Sequence, residues 1–176
     1  MARDVRNALS GGAASGGAVA ETSPDEHYVR VDQLAWDVPE DWQIIIPSDE
    51  AIRGEIRIGS KLGNASAVFS EADTSVAAVL RRWSGQVLDF VGDPVRLRPT
   101  KQQIAGYTVH VVSASGTMVV PDESGVQREH PFWALRGAVI ERPGEELVVA
   151  ILFGPEDTVR MADAQWTEMI ERMYEL

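Results

Sequence analysis

Cysteine is absent from the 176 residues. That excludes a disulfide framework, a thiolate zinc site, a thiol nucleophile and a lipid-modified cysteine within this chain. Long apolar runs are also missing. None approaches the roughly 20 residues that a membrane-spanning helix needs. Positive charge is scarce, with 16 Lys and Arg against 27 Asp and Glu and a formal net charge of -11. Such a balance opposes bulk attraction to nucleic acid or anionic lipid and favours a soluble, monomeric habit. Histidine occurs only at His27, His110 and His130, and none has a second histidine at metal-ligand spacing. There is no G-x-S-x-G elbow, no G-x-x-x-x-G-K-[ST] loop and no G-x-G-x-x-G turn. The segment "GSKLGN" contains glycine and lysine without the spacing that wraps amides round a phosphate. No catalytic residue, metal or cofactor is therefore expected.

What is present suits one domain with a sizeable core, since 44% of residues are apolar and five are tryptophan. Residues 1–26 are Ala/Gly/Ser-rich and cannot bury enough surface to offset ordering entropy, so they read as a flexible leader or linker. Ala18-Val19-Ala20 matches the small-residue pattern of an export cleavage site, but no apolar block precedes it. A periplasmic or extracellular location is expected if a signal once lay upstream. The single folded domain is expected over residues 28–176.

Within it, "LAWDVP" alternates up to Pro39, "WQIIIP" forms a short strand, and "AIRGEIRIG" sets Ile52, Ile56 and Ile58 against Arg53, Glu55 and Arg57. "ASAVFS" is the next strand. A helix follows, capped by Asp73, Thr74 or Ser75, with the stripe Val76, Val79, Leu80, Trp83, Val87 and Phe90, and ended by Gly92-Asp93-Pro94. Two strands then join near Ala105-Gly106, and a hairpin runs through Pro143-Gly144. Last comes a helix with the stripe Val159, Ala162, Trp166, Met169, Ile170 and Met173, with Pro155 in its first turn. Short turns imply a mainly antiparallel sheet, and two amphipathic helices must cover it. The expected class is α+β, an α/β/α-type sandwich with Trp36, Trp42, Trp83 and Trp166 in its core.

One stretch breaks the acidic background. Arg81, Arg82, Arg96, Arg98 and Lys101 have only Asp89 and Asp93 among them, and Arg96 and Arg98 share a strand face. They form either an anion-binding or acidic-partner patch or a solvated face. The same helix carries Trp83-Ser84-Gly85-Gln86. Trp83 lies mid-stripe, Gln86 about 60° from it at the stripe's edge, and Gly85 about 200° away on the outer side. A glycine in a helix costs about 1 kcal/mol against alanine. A covering chain segment accounts for it, or a recessed site beside Arg82 and Gln86. The candidate binding residues are Arg82, Gly85, Gln86, Arg96 and Arg98.

"LAWDVPEDW", "IRGEIRI", "RRWSGQV" and "LFGPEDTV" occur in this order over about residues 34–175. They resemble a group of uncharacterised bacterial proteins, often exported or lipid-anchored, with W-x-V-P-x-x-W early and R-W-x-G-Q later. The resemblance implies a fold similar to PsbP, the extrinsic subunit of photosystem II, and to the Ran-release factors. It implies no reaction or ligand. The expected function is a non-enzymatic interaction or assembly domain with a protein partner. The alternative is a hydrolase-like enzyme using carboxylates and His110.

Overall fold

The computed structural model describes residues 27–47, 49–122 and 124–176. The leader expected over residues 1–26 lies outside them. The elements in chain order are β1 (Tyr28–Val31), β2 (Leu34–Asp37), β3 (Gln43–Ile45), β4 (Ile52–Ile58) and β5 (Ala65–Ala72). After helix α1 (Val76–Gln86) come β6 (Val87–Leu88), β7 (Thr100–Ile104), β8 (Tyr107–Pro121), β9 (Gln127–Glu141) and β10 (Leu147–Pro155). Helix α2 (Glu156–Glu171) and β11 (Tyr174–Glu175) close the chain.

Among the described residues, the main sheet runs β3-β4-β5-β10-β9-β8-β6, with β7 also paired to β8, and every pairing is antiparallel. Strand β10, "LVVAILFGP", sits at the centre, and its unbroken apolar run follows from burial on both faces. Its side chains alternate between two clusters. Val148, Ala150 and Leu152 join one with α2; Leu147, Val149, Ile151 and Phe153 join the other with α1. The helices thus pack into different clusters, reached from opposite faces of this strand. The α2 cluster is larger than the sequence pattern implied. It is shared with a separate three-stranded sheet, β1-β2-β11, whose Trp36 lies 5.1 Å from Phe69, itself 6.2 Å from Trp166. Trp36, Trp42, Trp83 and Trp166 are all buried.

Two glycines set how close the layers come. A Cβ on Gly54 of β4 would stand 2.2 Å from Val29 Cγ1, so the missing side chain lets the small sheet settle on the large one. A Cβ on Gly137 of β9 would stand 2.2 Å from Trp83 Cζ3, so the indole of α1 lies directly on the strand backbone. Arg142, buried just beyond β9, bonds Asp32 Oδ2 at 2.6 Å, Glu145 Oε2 at 2.9 Å and Glu71 Oε1 at 3.2 Å. It ties the β1–β2 turn to β5.

Strand β4 corrects one expectation. Glu55 is not on a solvated face; it is fully buried. A register irregularity between Ile52 and Gly54 shifts the alternation, so Glu55 comes opposite Val68, which packs in the α1 cluster. Arg53 pairs with Glu71 at 3.1 Å.

Candidate functional site

Helix α1 starts where Ser75 Oγ accepts from the Ala78 amide at 3.2 Å. It stops four residues before the expected Phe90. Val87 turns extended (φ -119°, ψ 117°) because β8 offers it a partner: Val87 lies opposite Met118 and Leu88 opposite Thr117. The chain then doubles back. Val95 N–H donates to Val87 C=O at 2.8 Å, and Leu88 forms a bridge with Pro94. Between them Asp89 closes the loop, its Oδ1 accepting from the Val91 amide at 2.9 Å and the Asp93 amide at 3.0 Å. Phe90 and Val91 stand at the tip, 98% and 64% exposed. Phe90 therefore leaves the apolar stripe that helical periodicity assigned to it. The tertiary pairing of β6 outcompetes one more turn of helix.

The returning segment explains part of the unusual helix sequence, but at Ser84 rather than Gly85. The Ser84 hydroxyl donates to the Val95 carbonyl, and Val95 and Leu97 pack on the α1 cluster. Gly85 is exposed, and a Cβ there would meet nothing within 4 Å. The expectation that a chain segment covers Gly85 is therefore wrong. That segment lies on the Ser84 flank, about 100° round the helix from Gly85. Helix geometry also divides the candidate residues. Arg82 and Gln86, four apart, share the flank opposite Ser84, whereas Arg96 and Arg98 sit on the segment along the Ser84 flank. Arg81 and Gly85 point outward between the two. Gln86 is half-buried.

The basic residues share one property. The side chains of Arg81, Arg82, Arg96, Arg98 and Lys101 form no ion pair or hydrogen bond with another described residue, as is also true of Arg57 and Lys61 on β4 and the turn after it. By contrast Arg53, Arg128, Arg136, Arg142, Arg160 and Arg172 are each paired with a carboxylate, and Arg30 bonds a backbone carbonyl. With Val95 and Leu97 turned to the core, Arg96 and Arg98 face solvent, and Lys101 sits opposite His110 in the β7–β8 ladder. The result is a strip of cations along both flanks of α1 and its neighbouring segment, none paired with a carboxylate among the described residues.

His110, on β8, is buried and its Nε2 bonds the Glu141 carboxylate. Among the described residues no hydroxyl bonds this histidine, and no group of three or more His, Asp or Glu is placed to hold a metal ion. The carboxylate pairs seen in the sequence are dispersed: Glu145 binds Arg142, while Asp157 binds Arg160 in the first turn of α2.

Sequence reasoning missed an aromatic feature near the same helix. The fifth tryptophan, Trp133, is only half-buried and stacks on His130 with centroids 4.2 Å apart. Its neighbour Phe132 is 80% exposed and adopts φ 57°. Alternation made "FWALRGAVIER" an ordinary strand, and the signal that could have warned of a break is the preceding Pro131.

No protein-family model matches this chain, and no curated protein matches it either. Solved structures do. The solution structure of cyanobacterial PsbP from Synechocystis superposes with a TM-score of 0.51 at 10% identity, covering 91% of this chain and 98% of that one. A Pseudomonas aeruginosa protein of unknown function, PA94, gives a TM-score of 0.47 at 18% identity over 82% of this chain and 92% of its own. At such identities the first likeness shows a PsbP-like α+β fold and nothing about activity.

Proposed function

We propose that the chain is a non-enzymatic interaction or assembly domain of an exported bacterial protein, acting as a monomer that binds a protein partner through the α1 side. The observation that carries this reading is the strip Arg81, Arg82, Arg96, Arg98 and Lys101, which no described carboxylate neutralises in a chain of net charge -11. Cations left without a carboxylate are open to a complementary partner, which gains on-rate and orientation from them. Export rests on the resemblance of the W-x-V-P-x-x-W and R-W-x-G-Q segments alone. A hydrolase built on His110 is the second reading. It has less behind it, because among the described residues no hydroxyl or other nucleophile bonds the buried His110, whose one shown side-chain partner is Glu141.

A photo-reactive benzoylphenylalanine replacing Arg98 tests the proposal, with Arg160 on α2 as the control position. Irradiation in extract of the source organism is expected to give a discrete protein adduct from position 98 and none from 160. Equal labelling or none at either position refutes the binding face. Turnover of a generic ester or phosphoester that His110→Ala abolishes establishes the enzyme instead.

A further inference from the structure

We infer that Phe90 and Phe132 are paired anchors for a short acidic, apolar protein segment, a partner class that deepens the proposed binding role and rests on it. The segments that carry the two phenyl groups are far apart in sequence, and both flank β8. Leu88, two residues before Phe90, lies opposite Thr117 on one side of β8. On the other side Gly116 faces Trp133 and Met118 faces His130, which leaves Pro131 and Phe132 as a bulge beside the same Thr117. Two strand spacings, about 10 Å, separate the backbones of Leu88 and Phe132, and Phe90 follows two residues after Leu88.

Neither phenyl group serves the fold. Phe132 adopts the left-handed backbone region (φ 57°), where a bulky side chain is a steric outlier and glycine fits without clash. With most of its surface in water, its side chain gains no packing in return. Phe90 is almost wholly exposed, yet its loop is held by the Asp89 carboxylate rather than left loose. A backbone already held in place lowers the ordering cost of binding, which favours an anchoring role. The His130–Trp133 stack extends the apolar surface next to Phe132.

Charge selects the partner. Between Arg81 and Arg98 four arginines outnumber two carboxylates, Asp89 and Asp93, and the Asp89 charge is held inside its own loop by backbone amides. A partner segment fits with its apolar residues on Phe90 and Phe132 and its carboxylates on the arginine side. A protein segment is favoured over an anionic membrane. The whole chain carries -11 and is repelled by an extended negative surface, whereas a short segment meets only the local field within a Debye length of about 8 Å.

The test pans a phage-displayed library of short random peptides with the full chain and measures the best synthetic peptide by fluorescence anisotropy. Enrichment of sequences that combine Asp or Glu with Leu, Ile, Phe or Trp is expected. Phe90→Ser and Phe132→Gly should each weaken the selected peptide by about tenfold or more, as loss of an anchoring aromatic does. Melting temperatures should not fall, because both side chains are exposed and glycine relaxes the bulge. Selection of neutral or basic peptides, no selection at all, or affinities untouched by both substitutions overturns the inference. So does co-sedimentation with phosphatidylglycerol-containing vesicles that the two variants abolish. If the cross-link from position 98 forms while peptide selection fails, only this partner class is wrong. If the cross-link also fails, the binding role itself falls.

Discussion

Replacing Gly137 by alanine probes how the α1 layer is fastened to the sheet. The new methyl would lie 2.2, 2.7 and 2.9 Å from Trp83 Cζ3, Cη2 and Cε3, against ordinary contacts of 3.4 Å and beyond. Trp83 is completely buried, so the indole has no solvent to swing into, and helix or strand must move by more than 1 Å. Overpacking of this kind costs about 1–3 kcal/mol. Alanine is favoured over glycine in a strand by roughly 0.5–1 kcal/mol, which offsets part of it. A net loss of about 2 kcal/mol follows, since three ring atoms rather than a flexible chain end are displaced. For a chain of 176 residues that lowers the melting temperature by about 4–8 °C. The decisive assay is a double-mutant cycle by thermal or urea melts. Trp83→Ala alone should cost about 3–5 kcal/mol. Adding Gly137→Ala to it should cost nothing, because the methyl then enters vacated space, giving a coupling of about 2 kcal/mol. If Gly137→Ala overlays the wild type, or the two effects simply add, the indole does not lie on this backbone and the packing argument is wrong.

Gly85→Ala should raise stability by up to about 1 kcal/mol, since the position is open and alanine favours helix; a drop in melting temperature would show that something covers it. Arg142→Ala removes a buried guanidinium bonded to Asp32, Glu71 and Glu145 and should cost about 1.5–3 kcal/mol in urea melts; a neutral outcome would mean the β1–β2 turn is held by packing alone. The hydrogen bond from Tyr107 to Glu175, with burial and the negative charges of Glu175 and Glu145, raises the Tyr107 pKa above its ordinary 10.0. A raised folded-state value means that this contribution to stability is complete below pH 10 and is lost as pH climbs through the raised value. Phenolate absorbance should report a late-titrating tyrosine that Glu175→Gln returns toward normal, and Tyr107→Phe should flatten the alkaline end of the stability profile.

Period and punctuation were enough for much of this fold. The alternating or apolar runs that became β4, β5, β8, β9 and β10, the turns at Ala105-Gly106 and Pro143-Gly144, and the stripe of α2 are local patterns, readable because one face of each element must meet a core. The candidate site was legible only in its charge. The arginines between Arg81 and Arg98 stood out by composition. Their lack of carboxylate partners, and the opposite flanks taken by Arg82 and by Arg96 with Arg98, depend on where the chain returns after Asp93.

By itself the sequence determined the class, the mainly antiparallel sheet, two amphipathic helices and the absence of cysteine chemistry, because these follow from periodicity and composition along the chain. Only the tertiary structure decided that α1 ends at Gln86, that Glu55 is buried, that Gly85 stands open, and that Leu88 and Phe132 lie on either side of Thr117. Each of these is an outcome of competition between local preference and a distant partner. Helix propensity at Val87 loses to β8, alternation at Glu55 to a register shift, and the ordinary extended backbone at Phe132 to a bulge. Such contests are decided by hydrogen bonds and contacts between residues tens of positions apart, which no local window of sequence contains.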